Sequence, residues 1–151
     1  MPEEKKEYRD LKKSRKNMSH SITVKRKTGC GNLYCDVNYD HEDFTISRVM
    51  SRLGKSGSCR ASYSEAIGEL LTLLFQGGYD PEVVIEKLKG IRCGTEYLVE
   101  KDSPDNTHSC ADAIGKALED AMEVIAELKA KKEARDAKKD EKEEKKEDKK
   151  D

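Results

Sequence analysis

Cys30, Cys35, Cys59, Cys93 and Cys110 carry the most specific chemistry in this 151-residue chain, and four of them stand where a packed core does not ask for a thiol. Cys30 lies between Gly29 and Gly31, and Cys93 precedes Gly94; Cys59 and Cys110 each follow a serine that reads as a helix cap. Glycine-flanked turns let the backbone approach an ion closely. A helix N-terminus lowers a thiol's pKa and favours the thiolate, the form that binds metal. Structural zinc takes four thiolate or imidazole donors in a closed tetrahedron. Cys30, Cys59, Cys93 and Cys110 are therefore candidate ligands of Zn2+. The spacings are long and contain no C-x-x-C pair, so unrelated reduced cysteines are a second reading of the same residues. Cys35 differs, because it alternates with Leu33, Val37 and Tyr39 on the apolar side of a strand and reads as a small buried hydrophobe.

Other chemistries have less to stand on. His20, His41 and His108 are scattered over loops without a nucleophile and base arrangement, which argues against a hydrolase or transferase. His108 is either a substitute metal ligand or a solvent-facing side chain. Gly54-Lys55-Ser56 looks like the end of a phosphate-binding loop, but Val49 occupies the place of the required earlier glycine. Lys25, Arg26 and Lys27 are candidate nucleic-acid contacts. The net charge of −1 hides an asymmetry: residues 1–27 carry +6, residues 28–126 carry −8 and residues 127–151 carry +1. An acidic core lacks the basic face that phosphate binding asks for, which leaves the N-terminal arm as the contact a nucleic acid would use.

The elements that must position the thiols follow from patterning. With 40% charged and 34% hydrophobic residues, the foldable part is about a hundred residues, a small core that benefits from a metal staple. Residues 1–18 read as a charged flexible arm, 19–126 as the domain, and 127–151 as a charged solvated helix or disordered tail, with Glu127 and Lys131 at i, i+4 spacing. Alternation predicts strands over Ser21–Arg26 and Leu33–Tyr39 around a glycine-rich turn, and a third from Phe44 to Val49 or Leu53. Ser58 caps a first helix whose stripe is Ile67, Leu70, Leu71 and Leu74, ended by Gly77-Gly78. Asp80-Pro81-Glu82 opens a second helix that Gly90 stops. Ser109-Cys110-Ala111-Asp112 has capping-box spacing and opens a third, with Ile114, Ala117, Leu118, Ala121, Ile125 and Leu128 on one face. The expected fold is α+β: a three-stranded antiparallel sheet followed by three helices, the last running into a charged tail. Expected core anchors are Val24, Leu33, Val37, Ile46, Ile67, Leu71, Leu74, Val84, Leu88, Ile114 and Leu118. No apolar run reaches membrane-spanning length and no secretory leader is present, so a soluble protein of a reducing, cytoplasmic compartment is expected.

From His20 to Met122 the chain resembles the TSCPD domain, found at the C-terminal end of many adenosylcobalamin-dependent ribonucleotide reductases and in small free-standing phage and bacterial proteins. The resemblance rests on Gly31-Asn32-Leu33-Tyr34, Gly54-Lys55-Ser56-Gly57-Ser58, Ser64-Glu65-Ala66-Ile67, Gly90-Ile91-Arg92-Cys93 and Ser109-Cys110-Ala111-Asp112-Ala113-Ile114. The naming motif departs at two places, with His108 for Thr and Ala111 for Pro. Cysteine-rich members look like metal binders, and the resemblance implies zinc at Cys30, Cys59, Cys93 and Cys110. A reductase needs a large barrel and a terminal cysteine pair for which this chain has no room, so the implied role is a non-catalytic zinc module of deoxyribonucleotide synthesis and DNA replication. Its implied partner is a separately encoded ribonucleotide reductase subunit or another protein. Two alternatives stay open: a thiol redox protein, and a nucleic-acid-associated zinc module using the basic arm.

Overall fold

The structure, a computed structural model, describes residues 19–54 and 57–147. The expected arm at residues 1–18, Lys55 and Ser56 of the glycine-rich turn, and the last four residues of the tail lie outside the described residues. The element order is β1 (His20–Thr28), β2 (Gly31–Tyr39), β3 (Ile46–Leu53), α1 (Cys59–Gln76), α2 (Pro81–Leu88) and α3 (Cys110–Glu147). This is the expected α+β architecture, with an antiparallel meander in the order β1-β2-β3.

The central strand carries the core. Leu33, Cys35 and Val37 of β2, Val49 of β3, and Ile114 and Leu118 of α3 are fully buried. Cys35 is thus the small hydrophobe its alternation implied, and burial pushes its thiol up to about 12, with the neighbouring Asp36 charge adding to the effect. The outermost strand β1 buries less, so the expected anchor Val24 is only half-buried, as are Ile67, Leu74 and Leu88. The third strand starts later than Phe44, because Phe44 takes φ +59° in a turn closed by its N–H to the Asp40 carbonyl (2.9 Å).

Helix α1 presents a different face from the expected stripe. Its buried residues are Ser64, Gly68, Leu71, Thr72 and Phe75, while Leu70 is 60% exposed. The reason is that α1 lies against the backbone of β3. The Thr72 hydroxyl accepts from the Val49 N–H at 2.9 Å and lies 3.1 Å from the Val49 carbonyl, and Gln76 Nε2 donates to the Ser47 carbonyl at 2.8 Å. A Cβ on Gly68 would come within 3.0 Å of Ser51 N and 3.1 Å of Val49 O. Such a helix needs small and hydroxylated residues where leucines would hold it away.

The helix ends follow the expected chemistry. Ser58 Oγ accepts from the Ala61 N–H at 3.2 Å, and Asp80 Oδ1 from the Glu82 N–H at 3.0 Å. Gly78 at φ +81° ends α1, with the Tyr79 N–H returning to the Leu74 carbonyl at 3.1 Å. The described residues through Ala121 make one compact unit and a second begins at Met122, in which Lys131 and Glu127 stand 3.7 Å apart. No helix among the described residues is long and apolar enough to cross a membrane.

Candidate functional site

The hairpin between β1 and β2 turns through two residues, Gly29 and Cys30, inside the closing pair Thr28 and Gly31. Thr28 organises it: its hydroxyl donates to the Gly31 carbonyl (2.9 Å) and accepts from the Cys30 N–H (3.1 Å). Gly29 allows a second segment to press on the turn, since a Cβ there would fall 2.3 Å from the Thr95 carbonyl oxygen. Only glycine permits that approach, and it brings the Cys93-Gly94-Thr95 loop against Cys30.

The loop from residue 91 to 109 is tied down at several points. Tyr97 and Thr107 exchange both backbone hydrogen bonds (2.9 and 2.8 Å), and the Thr107 hydroxyl donates to the Lys27 carbonyl at 2.7 Å. The Cys93 N–H donates to the His108 carbonyl at 3.0 Å, which sets Cys93 beside the start of α3. There, Ser109 Oγ accepts from the Asp112 N–H (3.0 Å), and the Asp112 carboxylate accepts from the N–H groups of His108 (3.0 Å) and Gly90 (2.8 Å). The short Asp thus reaches one residue further back than a capping-box Glu would, and also holds the end of the α2 turn. Burial works against its charge. The Gly90 and His108 donors and the Lys116 ammonium at 3.0 Å outweigh burial and leave the carboxyl below its ordinary value.

These ties bring the backbone around three of the four candidate cysteines side by side. The Cys110 sulfur lies 3.9 Å from the Thr28 hydroxyl, the same hydroxyl that accepts from the Cys30 N–H. Cys93 Sγ lies 3.4 Å from the Thr95 carbonyl. Cys59 is the first residue of α1 and is exposed; its neighbour Arg60 reaches the Cys30 carbonyl at 3.5 Å. All five cysteines are free. Among the described residues no group of three or more His, Cys, Asp or Glu side chains is arranged to hold a metal ion. The expectation that the start of α3 lowers the Cys110 pKa is corrected: burial raises it, and the Cys30 and Cys93 thiols raise it further against an opposing hydrogen bond with Thr28. From sequence, Thr28 and Gly29 were read only as part of the glycine-rich turn around Cys30, and Thr107 was not singled out.

The remaining candidates lie elsewhere. His108 Nδ1 stands 3.3 Å from Glu96 Oε1, half-buried. In the basic trio, alternation separates Arg26 from its neighbours. Arg26 donates through Nε to Asp120 (3.0 Å) and through Nη1 to the Pro104 carbonyl (3.1 Å), whereas Lys25 and Lys27 are exposed.

Comparison with curated proteins and with solved structures gave no match. Comparison with protein families matched the TSCPD domain over residues 6–122, a stretch that contains the sheet, α1, α2, the start of α3 and all five cysteines. The chain therefore belongs to the TSCPD domain family, a domain associated with ribonucleotide reductases.

Proposed function

We propose that this chain is a non-catalytic zinc module accessory to a ribonucleotide reductase, with Cys30, Cys93 and Cys110 as ligands and Cys59 as the fourth. The observation that carries the reading is that the Cys110 sulfur lies 3.9 Å from the Thr28 hydroxyl, which also holds the Cys30 N–H, while the Cys93 N–H binds the His108 carbonyl two residues before Cys110. The donor chemistry fits zinc: sulfur donors suit it, and a dication would offset the burial, and after it the neighbouring Cys30 and Cys93 thiols, that raise the Cys110 pKa. Cys59 and Cys93 are exposed, so their side chains are free to change rotamer and close the set when metal arrives. Bound zinc would supply a cross-link between the hairpin turn, the 91–109 loop and the starts of α1 and α3, and its uptake would release protons. Free thiols throughout suit a reducing compartment such as the cytoplasm.

The two other readings are weaker on specific grounds. A redox thiol needs a lowered pKa, and Cys110 moves the opposite way. A nucleic-acid face built on Lys25, Arg26 and Lys27 loses its arginine to Asp120. The test is elemental analysis of the purified protein beside Cys93→Ser and Cys110→Ser. Stoichiometric zinc lost in both variants, with a lowered melting temperature, supports the reading; full zinc in both ends it. Co-elution with a purified reductase subunit tests the accessory role.

A further inference from the structure

Helix α1 turns Ser64, Gly68, Leu71, Thr72 and Phe75 to the sheet and leaves its more apolar side open. Tyr63, Ala66, Leu70 and Leu73 are exposed, with Ile67 and Leu74 half-buried along one margin. Together with Gly77 these residues fall within about a third of the helix circumference and follow it for about four turns. That arc holds no charged side chain. Glu65 and Glu69 stand to one side of it, and Glu69 is drawn towards β3 by Arg48 at 3.1 Å. Single exposed apolar side chains are ordinary, whereas an uninterrupted stripe of this width is what a helix presents to a neighbour.

We infer that this face is the two-fold interface of a homodimer, in which α1 of each copy lies antiparallel to α1 of the other. A second copy is selected because the stripe answers itself, which an isologous contact requires and a foreign partner does not. With the axis at Leu70, Tyr63 comes opposite the partner's Gly77, Ala66 opposite the partner's Leu74 and Ile67 opposite the partner's Leu73. The first two pairings set large against small, the condition for close helix packing. The same register brings Arg60, exposed at the start of α1, to the partner's Asp80 just past the end of α1, twice by symmetry. Asp80 caps α2 through Oδ1, which leaves its other oxygen for that contact. Antiparallel packing also sets the positive end of one helix beside the negative end of the other. With Tyr63 71%, Leu70 60% and Leu73 50% exposed, the stripe opens roughly 400–500 Å² per copy, about 1,000 Å² across a pair once the rim is counted. That is the lower edge of specific interfaces, so the dimer is reversible, with a Kd on the order of 1–100 µM. The interface uses neither Cys30, Cys93 nor Cys110, and the inference stands apart from the zinc reading.

The test is sedimentation equilibrium of the full chain in reductant from about 1 to about 300 µM, where a reversible monomer–dimer equilibrium is expected. Leu70→Glu and Leu70→Lys each place like charges on the two-fold axis and should be monomeric over the whole range, with the wild-type melting temperature at the dilute end because Leu70 is largely exposed. An equimolar mixture of the two should regain the dimer, since each charge then meets its opposite. Arg60→Glu should weaken the dimer about tenfold through repulsion from the partner's Asp80, and Leu98→Lys, at an exposed apolar residue of the 91–109 loop, should leave it unchanged. A wild-type chain that stays monomeric, dimers that survive both Leu70 variants, or a mixture that stays monomeric would each overturn the assignment. So would self-association that appears only after removal of residues 1–18, which would give the stripe to the chain's own arm, or a stripe that binds a reductase subunit and never a second copy.

Discussion

Gly29→Ala puts the junction between the hairpin and the Cys93 loop under direct strain. The added methyl would sit 2.3 Å from the Thr95 carbonyl oxygen, 2.6 Å from its Cγ2 and 2.7 Å from its carbonyl carbon. Two of these three atoms are backbone, so no rotamer change relieves the overlap, and the loop must retreat by about 1 Å to restore ordinary contact. Overpacking of this kind costs about 1–3 kcal/mol. The same shift is several times the tolerance of about 0.2 Å on metal–ligand distances, so zinc affinity should fall about ten- to a hundredfold. Urea unfolding of chelator-treated protein gives the first quantity, and competition with a chromophoric zinc chelator gives the second. Gly94→Ala is the control, because a Cβ there meets nothing within 4 Å. A Gly29→Ala protein with the stability and zinc affinity of the Gly94→Ala control would refute the close approach and the site built on it.

Two further changes probe the scaffold. Asp112→Asn leaves one of the Gly90 and His108 N–H groups without an acceptor and should cost about 1–3 kcal/mol at pH 7. Because the folded carboxyl titrates below its ordinary value of 3.8, its contribution is complete above that value and lost as pH falls through the lower, folded pKa. The gap between wild type and variant in denaturant titrations should therefore close below pH 4, and a gap independent of pH would contradict the assignment. Thr72→Val keeps the side-chain shape but orphans the buried Val49 N–H, so urea unfolding should show a loss of about 1–3 kcal/mol. A loss below about 0.5 kcal/mol would mean that this hydroxyl does not matter to the strand.

Where local rules decide structure, the chain was legible. Strand alternation gave β2 and its buried Cys35, and the caps at Ser58, Asp80 and Ser109 gave the helix starts within a residue. What escaped depended on long-range packing. Leu70 belongs to the more apolar stripe of α1, yet the helix turns Ser64, Gly68 and Thr72 inward, because its neighbour is strand backbone with polar groups to satisfy. Cys110 occupies the helix start that its serine announced, but burial against Thr28 and Cys30 overrides the helix end in setting its proton affinity. Cys30, Cys93 and Cys110 were readable as residue types, while the contacts that bring their segments side by side, Gly29 on Thr95 and Thr107 on Lys27, join stretches dozens of residues apart and leave no periodic trace.

The hydroxyl and amide that α1 lays along β3 have a consequence for assembly. With Val49 and Ser47 already engaged, the margin that the described residues leave for a new strand is that of β1 before Lys27, whose carbonyl the Thr107 hydroxyl holds. Two copies meeting there would each use up the other's open side, so strand addition would terminate as a pair and offer no growing sheet edge for a fibre.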